Sequence, residues 1–127
     1  MAKEGYERGM KTRRKVLGDD WVDRAERNKN EFNAEFQELL TRYAWDEIWN
    51  RPGLDHRTRR MIVIAQCAAM GRWEEFKLHS RAALEKGDLS QGDLKEVLLQ
   101  TAVYCGVPTA NTAFREVRDV IAELAKK

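Results

Sequence analysis

The chain has little of the chemistry that small proteins use as staples, anchors or metal cages. Only two cysteines, Cys67 and Cys105, occur in 127 residues. They form no C-x-x-C pair, no zinc-finger spacing and no disulfide framework. The two histidines, His56 and His79, stand apart with no H-x-x-x-H and no clustered acids, so no metal site is expected. The longest apolar run, residues 61–70, is broken by Gln66 and is far too short to span a bilayer. The first residues lack an apolar h-region, so no secretory signal is expected. The expectation is a cytoplasmic protein with both thiols reduced. A net charge of +2 gives no strong general pull toward nucleic acid or membrane, and neither is expected as a partner. There is no G-x-G-x-x-G, no Walker loop and no G-x-S-x-G, which removes the common nucleotide and hydrolase readings.

What the chain does have is helix signals. Strand alternation is nearly absent, and the only prolines, Pro52 and Pro108, fall in breaks. A first helix is expected over residues 3–17, stopped by Gly18 and weakened by Gly5 and Gly9. Asp19 suits the cap of a short helix over 20–27. A third segment, 30–49, carries Phe32, Phe36, Leu39, Leu40, Tyr43 and Ile48 at helical spacing, until Arg51-Pro52-Gly53 forces a turn. Asp55 suits the cap of a helix over 56–70 that is apolar nearly all round, which hints at burial by a second subunit. Helices over 73–86, from Ser90 to about 104, and from Pro108 onward complete the chain. Ser90 and Asp93 have the spacing of a capping box, and Pro108 suits the first turn of the last helix. The expected fold is all-α, a single domain over 1–127 with six to seven helices.

Few residues offer chemistry. His79 lies mid-helix with Glu75 one turn before it. A carboxylate at that spacing can stabilise an imidazolium and orient the ring as a general acid. Such pairs are also common as plain surface contacts. His56, just after a cap, reads as a solvated first-turn residue. Arg57, Arg59 and Arg60 crowd one helix start, where guanidinium groups can grip carboxylates or serve as ion pairs. Arg59 is favoured for function because the other two fall on different faces. Trp45 and Trp49, one turn apart beside Arg51, suit core, a pocket wall or a subunit contact. Tyr104 divides evenly between packing and lining a cavity. Cys67 reads as an inert buried thiol, and Cys105 has no activating neighbour in sequence.

Taken in order, these segments resemble the carboxymuconolactone decarboxylase family. The matching stretches are Arg14-Lys15-Val16-Leu17-Gly18, the run 43–55 containing Trp45, Trp49 and Arg51-Pro52-Gly53-Leu54, then Arg57-Thr58-Arg59. They continue with Gly71-Arg72-Trp73-Glu74-Glu75-Phe76-Lys77-Leu78-His79 and the run 96–111 containing Tyr104-Cys105-Gly106-Val107-Pro108. Their order, spacing and combination are specific and cover nearly the whole chain. The resemblance implies an alkylhydroperoxidase-D-like fold assembled as a ring-forming homo-oligomer, trimer or hexamer. It also implies a reaction. The best-known members convert 4-carboxymuconolactone to 3-oxoadipate enol-lactone and carbon dioxide, in the protocatechuate branch of the β-ketoadipate pathway.

That reaction needs no cofactor, because the departing carboxylate is conjugated through a C=C bond to the lactone carbonyl, which serves as electron sink. The resemblance then implies His79 and Glu75 as catalytic groups. Arg51 and Arg59 are assigned to the substrate's carboxylates, and Trp49 and Tyr104 to pocket walls. Two alternatives stand beside it. One is an enzyme of the same fold acting on another lactone or β-keto acid; the other is a non-enzymatic, small-molecule-binding helical oligomer. Where thiol-reductase relatives place C-x-x-C, this chain has Arg72 and Glu75, so dithiol chemistry is not expected. Asp46 stands where a small residue is more usual, and Arg60 is bulkier than expected. Both bear on the pocket wall.

Overall fold

The computed structural model describes residues 2–127, and among them every regular element is a helix. The helices are α1 (Ala2–Leu17), α2 (Asp19–Arg27), α3 (Ala34–Leu40), α4 (His56–Met70), α5 (Trp73–Lys86), α6 (Gln91–Cys105) and α7 (Val107–Ala125). A π-helix, Thr41–Ile48, continues α3 without a break. The chain forms two compact units, Met1–His56 and Arg57–Lys127.

In the first unit α1 packs along the π-helix. The glycines of α1 are what permit this. A Cβ on Gly9 would stand 2.2 Å from the Thr41 carbonyl oxygen, so only glycine lets the two backbones approach this closely. Gly9 is therefore a packing device rather than a weak point of the helix. The approach is fixed by a polar clamp. Arg8 donates from Nε and Nη2 to the two oxygens of Asp46, each at 3.0 Å. Asn50 donates to Asp46 at 3.2 Å, and Thr12 donates to Asn50 Oδ1 at 2.7 Å. Asp46 thus faces α1, and the expectation that it shapes a pocket wall gives way to a clamp.

Two further expectations change in this unit. Asp19 does not cap α2, which starts after Gly18 without a side-chain cap. Asp19 instead accepts from Arg14 at 3.1 Å. The segment expected as one helix over 30–49 divides into a turn held by Asn30 and Asn33, then α3, then the π-helix. Its expected apolar face is largely exposed: Phe32 is 98% accessible, Phe36 60% and Tyr43 59%. The buried residues are Thr41, Trp45 and Trp49.

The second unit is built on a core of Ile64 and Ala68 from α4, Phe76 and Ala83 from α5, Leu94 and Leu98 from α6, and Ala113 and Val117 from α7. Each pair is spaced four or seven residues apart, the repeat that keeps side chains on one helix face. α6 opens on the expected capping box, with Ser90 Oγ accepting from Asp93 N and Asp93 accepting from Ser90 N, both at 3.0 Å. α5 ends at Gly87, whose φ of 78° is the left-handed conformation glycine adopts without a steric cost. α4 is less buried than its composition suggests. Ile62 and Met70 are exposed, whereas Arg60 is only 1% accessible.

Candidate active site

His79 sits on the buried face of α5, in register with Phe76, Ser80 and Ala83. It is 7% accessible, whereas Glu75, one turn earlier, is exposed. Burial pushes the His79 pKa down to about 4, and the Arg60 charge pushes in the same direction. The ring is therefore neutral near pH 7. This corrects the expectation of a Glu75-sustained imidazolium. Removing the ring from water penalises its charged form, and the charge that acts on it is positive. The Glu75 carboxylate instead helps to raise the Cys67 thiol pKa, second to burial and opposed by Arg72. That thiol is protonated and inert, as expected of a half-buried cysteine.

The three arginines at the start of α4 separate cleanly. Arg57 pairs with Asp93 at 3.2 Å. Arg60 turns inward and pairs with Asp88, donating from Nε at 3.1 Å and more closely from Nη2. Arg59 lies half-buried between them in sequence. Arg60 is the residue whose role the sequence did not reveal. A single arginine among three gives no sign that it faces inward, and its partner Asp88 is 28 residues away.

In the first unit Trp49 is buried and stacks on Trp45, with ring centroids 5.3 Å apart and planes 27° apart. His56 is half-buried rather than solvated. Its Nε2 lies 3.0 Å from the Trp49 carbonyl oxygen, and its ring meets the Trp49 ring edge-on at 5.7 Å. Arg51 follows on an exposed turn. Trp45 lies in the π-helix and Trp49 is its C-cap; a π-helix rotates side chains off the α-helical register and recurs at functional sites.

Tyr104 is 80% accessible and lies at the end of α6 between Val103 and Gly106, with Val107 also exposed. In the single chain it lines an apolar surface rather than an enclosed wall. Among the described residues, no group of three or more His, Cys, Asp or Glu side chains could hold a metal ion. No helix among them is long and apolar enough to cross a membrane.

Residues 34–119 match the model of the carboxymuconolactone decarboxylase family. The chain is 39% identical over 119 residues to a 4-carboxymuconolactone decarboxylase of Acinetobacter baylyi, covering 94% of this chain and 88% of that one. It is 34% identical over 122 residues to a nitrosuccinic acid decarboxylase of Metarhizium robertsii, covering 96% of this chain and 85% of that one. A 42-residue stretch, 33% of this chain, is 55% identical to a 4-carboxymuconolactone decarboxylase of Pseudomonas putida and covers 88% of that sequence.

Proposed function

Because the chain belongs to the carboxymuconolactone decarboxylase family, we propose that it removes carbon dioxide from 4-carboxymuconolactone to give 3-oxoadipate enol-lactone, without a cofactor. The observation that carries this reading is the 39% identity to a 4-carboxymuconolactone decarboxylase along 94% of the chain. The matched region, 34–119, runs through both compact units, which supports one catalytic domain over the whole chain.

The chemistry suits the residues. The C–C bond to the ring carboxylate breaks, and its electron pair moves through the C=C bond onto the lactone carbonyl oxygen as an extended dienolate. A proton then enters at the carbon next to that carbonyl. A neutral imidazole serves the first step well. His79 donates a hydrogen bond to the oxygen where charge grows, in surroundings that exclude water and so strengthen it. A dianionic substrate offsets the Arg60 charge, which raises the ring's proton affinity when the dienolate must be protonated. Glu75, exposed one turn earlier on α5, relays that proton from solvent to the ring, which passes it to the dienolate carbon. Arg59 and Arg51 take the two carboxylates, since guanidinium groups bind them in a fork. Trp49 and Tyr104 bound the ring of the substrate.

The enzyme works in the cytoplasm as a homo-oligomer, trimer or hexamer. The exposed apolar faces of α3 with the π-helix, and of α6, support self-association, because patches of that kind mark association surfaces.

The test is a coupled assay with 4-carboxymuconolactone freshly made from carboxymuconate and no added cofactor. Carbon dioxide and enol-lactone should appear together, and His79→Ala should lose both. Nitrosuccinate belongs in the same assay, because a relative bears the name of its decarboxylase. Turnover of nitrosuccinate alone would transfer the reading to that substrate.

A further inference from the structure

The first unit holds a cleft that the decarboxylation chemistry does not use. It measures about 340 Å³ and is lined by Arg13, Trp21, Arg24, Asn28, Asn33 and Gln37. Arg13 is its inner wall and is only 3% accessible. A guanidinium buried to this degree needs its donors filled, and this one's are not. Nη2 donates to Gln37 Oε1 at 3.3 Å, but Nε and Nη1 have no hydrogen-bond partner. The nearest carboxylate, Glu26, stands 3.9 Å from Nη1, beyond hydrogen-bond reach. Glu26 is also engaged by Lys29 at 3.2 Å. The face of Trp21, 5.4 Å from the guanidinium carbon, is a further contact of Arg13. Burial pulls the Arg13 pKa down, with Glu26 offsetting only part of that effect.

Two other polar groups around the cleft have their side-chain oxygens engaged. Asn33 Oδ1 accepts from Asn30 N at 2.9 Å, which leaves its amide NH₂ to donate elsewhere. Gln37 Oε1 is taken by Arg13, which leaves the Gln37 NH₂ in the same condition. Arg24 adds a second positive charge at the exposed rim. Arg13, Arg24, Asn33 and Gln37 line one small volume, and Glu26, the carboxylate beside Arg13, is shared with Lys29. Unfilled buried donors are costly, and an ionised acceptor offsets that cost most strongly.

We propose that this cleft binds the oxyanion group of a small molecule, a carboxylate or a phosphate, through Arg13, Arg24, Asn33 and Gln37. The site lies wholly within the first unit and needs neither His79 nor Arg59.

The experiment titrates the full-length protein with acetate, succinate and inorganic phosphate at constant ionic strength, with chloride as control. The readouts are calorimetry and the ¹⁵N-detected side-chain signals of Arg13 Nε–H, Asn33 and Gln37. Saturable binding of at least one oxyanion is expected, with the Arg13 Nε–H signal shifting. The relative affinities for carboxylate and phosphate identify the group. Arg13→Met tests the inner wall but endangers the fold, so two milder variants carry the decision. Asn33→Asp keeps the oxygen that Asn30 N–H needs and replaces the donor with a negative charge. Arg24→Gln removes a rim charge. Each should weaken binding about tenfold or more, the effect expected for losing one hydrogen bond to a charged group. His79→Ala should leave it unchanged. The proposal fails if no oxyanion binds saturably, if chloride gives the same response, or if both mild variants bind as the unaltered protein does.

Discussion

His79 is held neutral by burial and by Arg60, and this has consequences for both stability and turnover. In the unfolded chain its pKa is about 6.5; in the folded chain it is about 4. Between those values the unfolded state takes up a proton that the folded state refuses. The His79 contribution is therefore fully present above about pH 6.5 and is lost as pH falls toward 4, by up to about 3 kcal/mol. His79→Gln cannot titrate, so its urea midpoint should lose less between neutral and mildly acidic pH than that of the unaltered protein. Parallel pH profiles for the two proteins would contradict the assignment. For turnover, His79→Ala should cost about 10²–10⁴-fold, the span of a positioned proton-transfer group. Near-full activity in a well-assembled variant would remove His79 from the mechanism. Arg60→Met should raise the His79 pKa, read from its ring C–H proton shifts, because burial then acts alone. An unmoved pKa would mean the Arg60 charge does not reach the ring. The sequence marked His79 but not its protonation state. That state depends on an arginine on another helix and on how deeply α5 buries one face, and local spacing carries neither.

At the scale of elements, the ends of helices were the most legible feature. Ser90 with Asp93, and the glycines after α1, α4 and α5, act through their own backbone, so the sequence contains the whole cause. The π-helix is the opposite case. Its register is set by what packs against it, namely α1, whose Gly9 touches the Thr41 carbonyl and whose Arg8 grips Asp46. Gly9→Ala makes the point testable. Alanine is favoured over glycine inside a helix by about 1 kcal/mol, so propensity alone predicts a gain. The new Cβ would instead meet backbone 2.2 Å away, and backbone cannot swing aside as a side chain can. Overpacking of this kind costs about 1–3 kcal/mol, so the variant should melt lower and its near-ultraviolet signal from the stacked Trp45 and Trp49 should change. A higher melting temperature with that signal intact would show that the close approach is not what fixes the π-helix.

The whole molecule leaves apolar surface that a single chain does not cover. Phe32, Phe36, Leu39 and Tyr43 are spaced four, three and four residues apart and are all exposed. Val103, Tyr104 and Val107 make a second exposed group at the end of α6. The sequence showed the first group at helical spacing, and the structure distributes it over a turn, α3 and the π-helix. An exposed apolar group of this size marks an association surface, and these side chains are left uncovered in the single chain. The partner we propose is a second copy of the chain. Analytical ultracentrifugation should find an assembly, and the two faces can be tested separately. Phe36→Glu and Val103→Glu each place a charge on one patch, at a residue that is exposed in the single chain. A charge at the centre of a subunit interface is left unpaired and desolvated, so the variant that breaks the assembly identifies the interface. If Val103→Glu is that variant, Tyr104 is covered by the neighbouring subunit, and its expected place beside the substrate requires the assembly. Activity should then fall with dissociation and recover with protein concentration. A monomer at all concentrations with full turnover would show that these faces serve some other partner and that one chain is the catalytic unit.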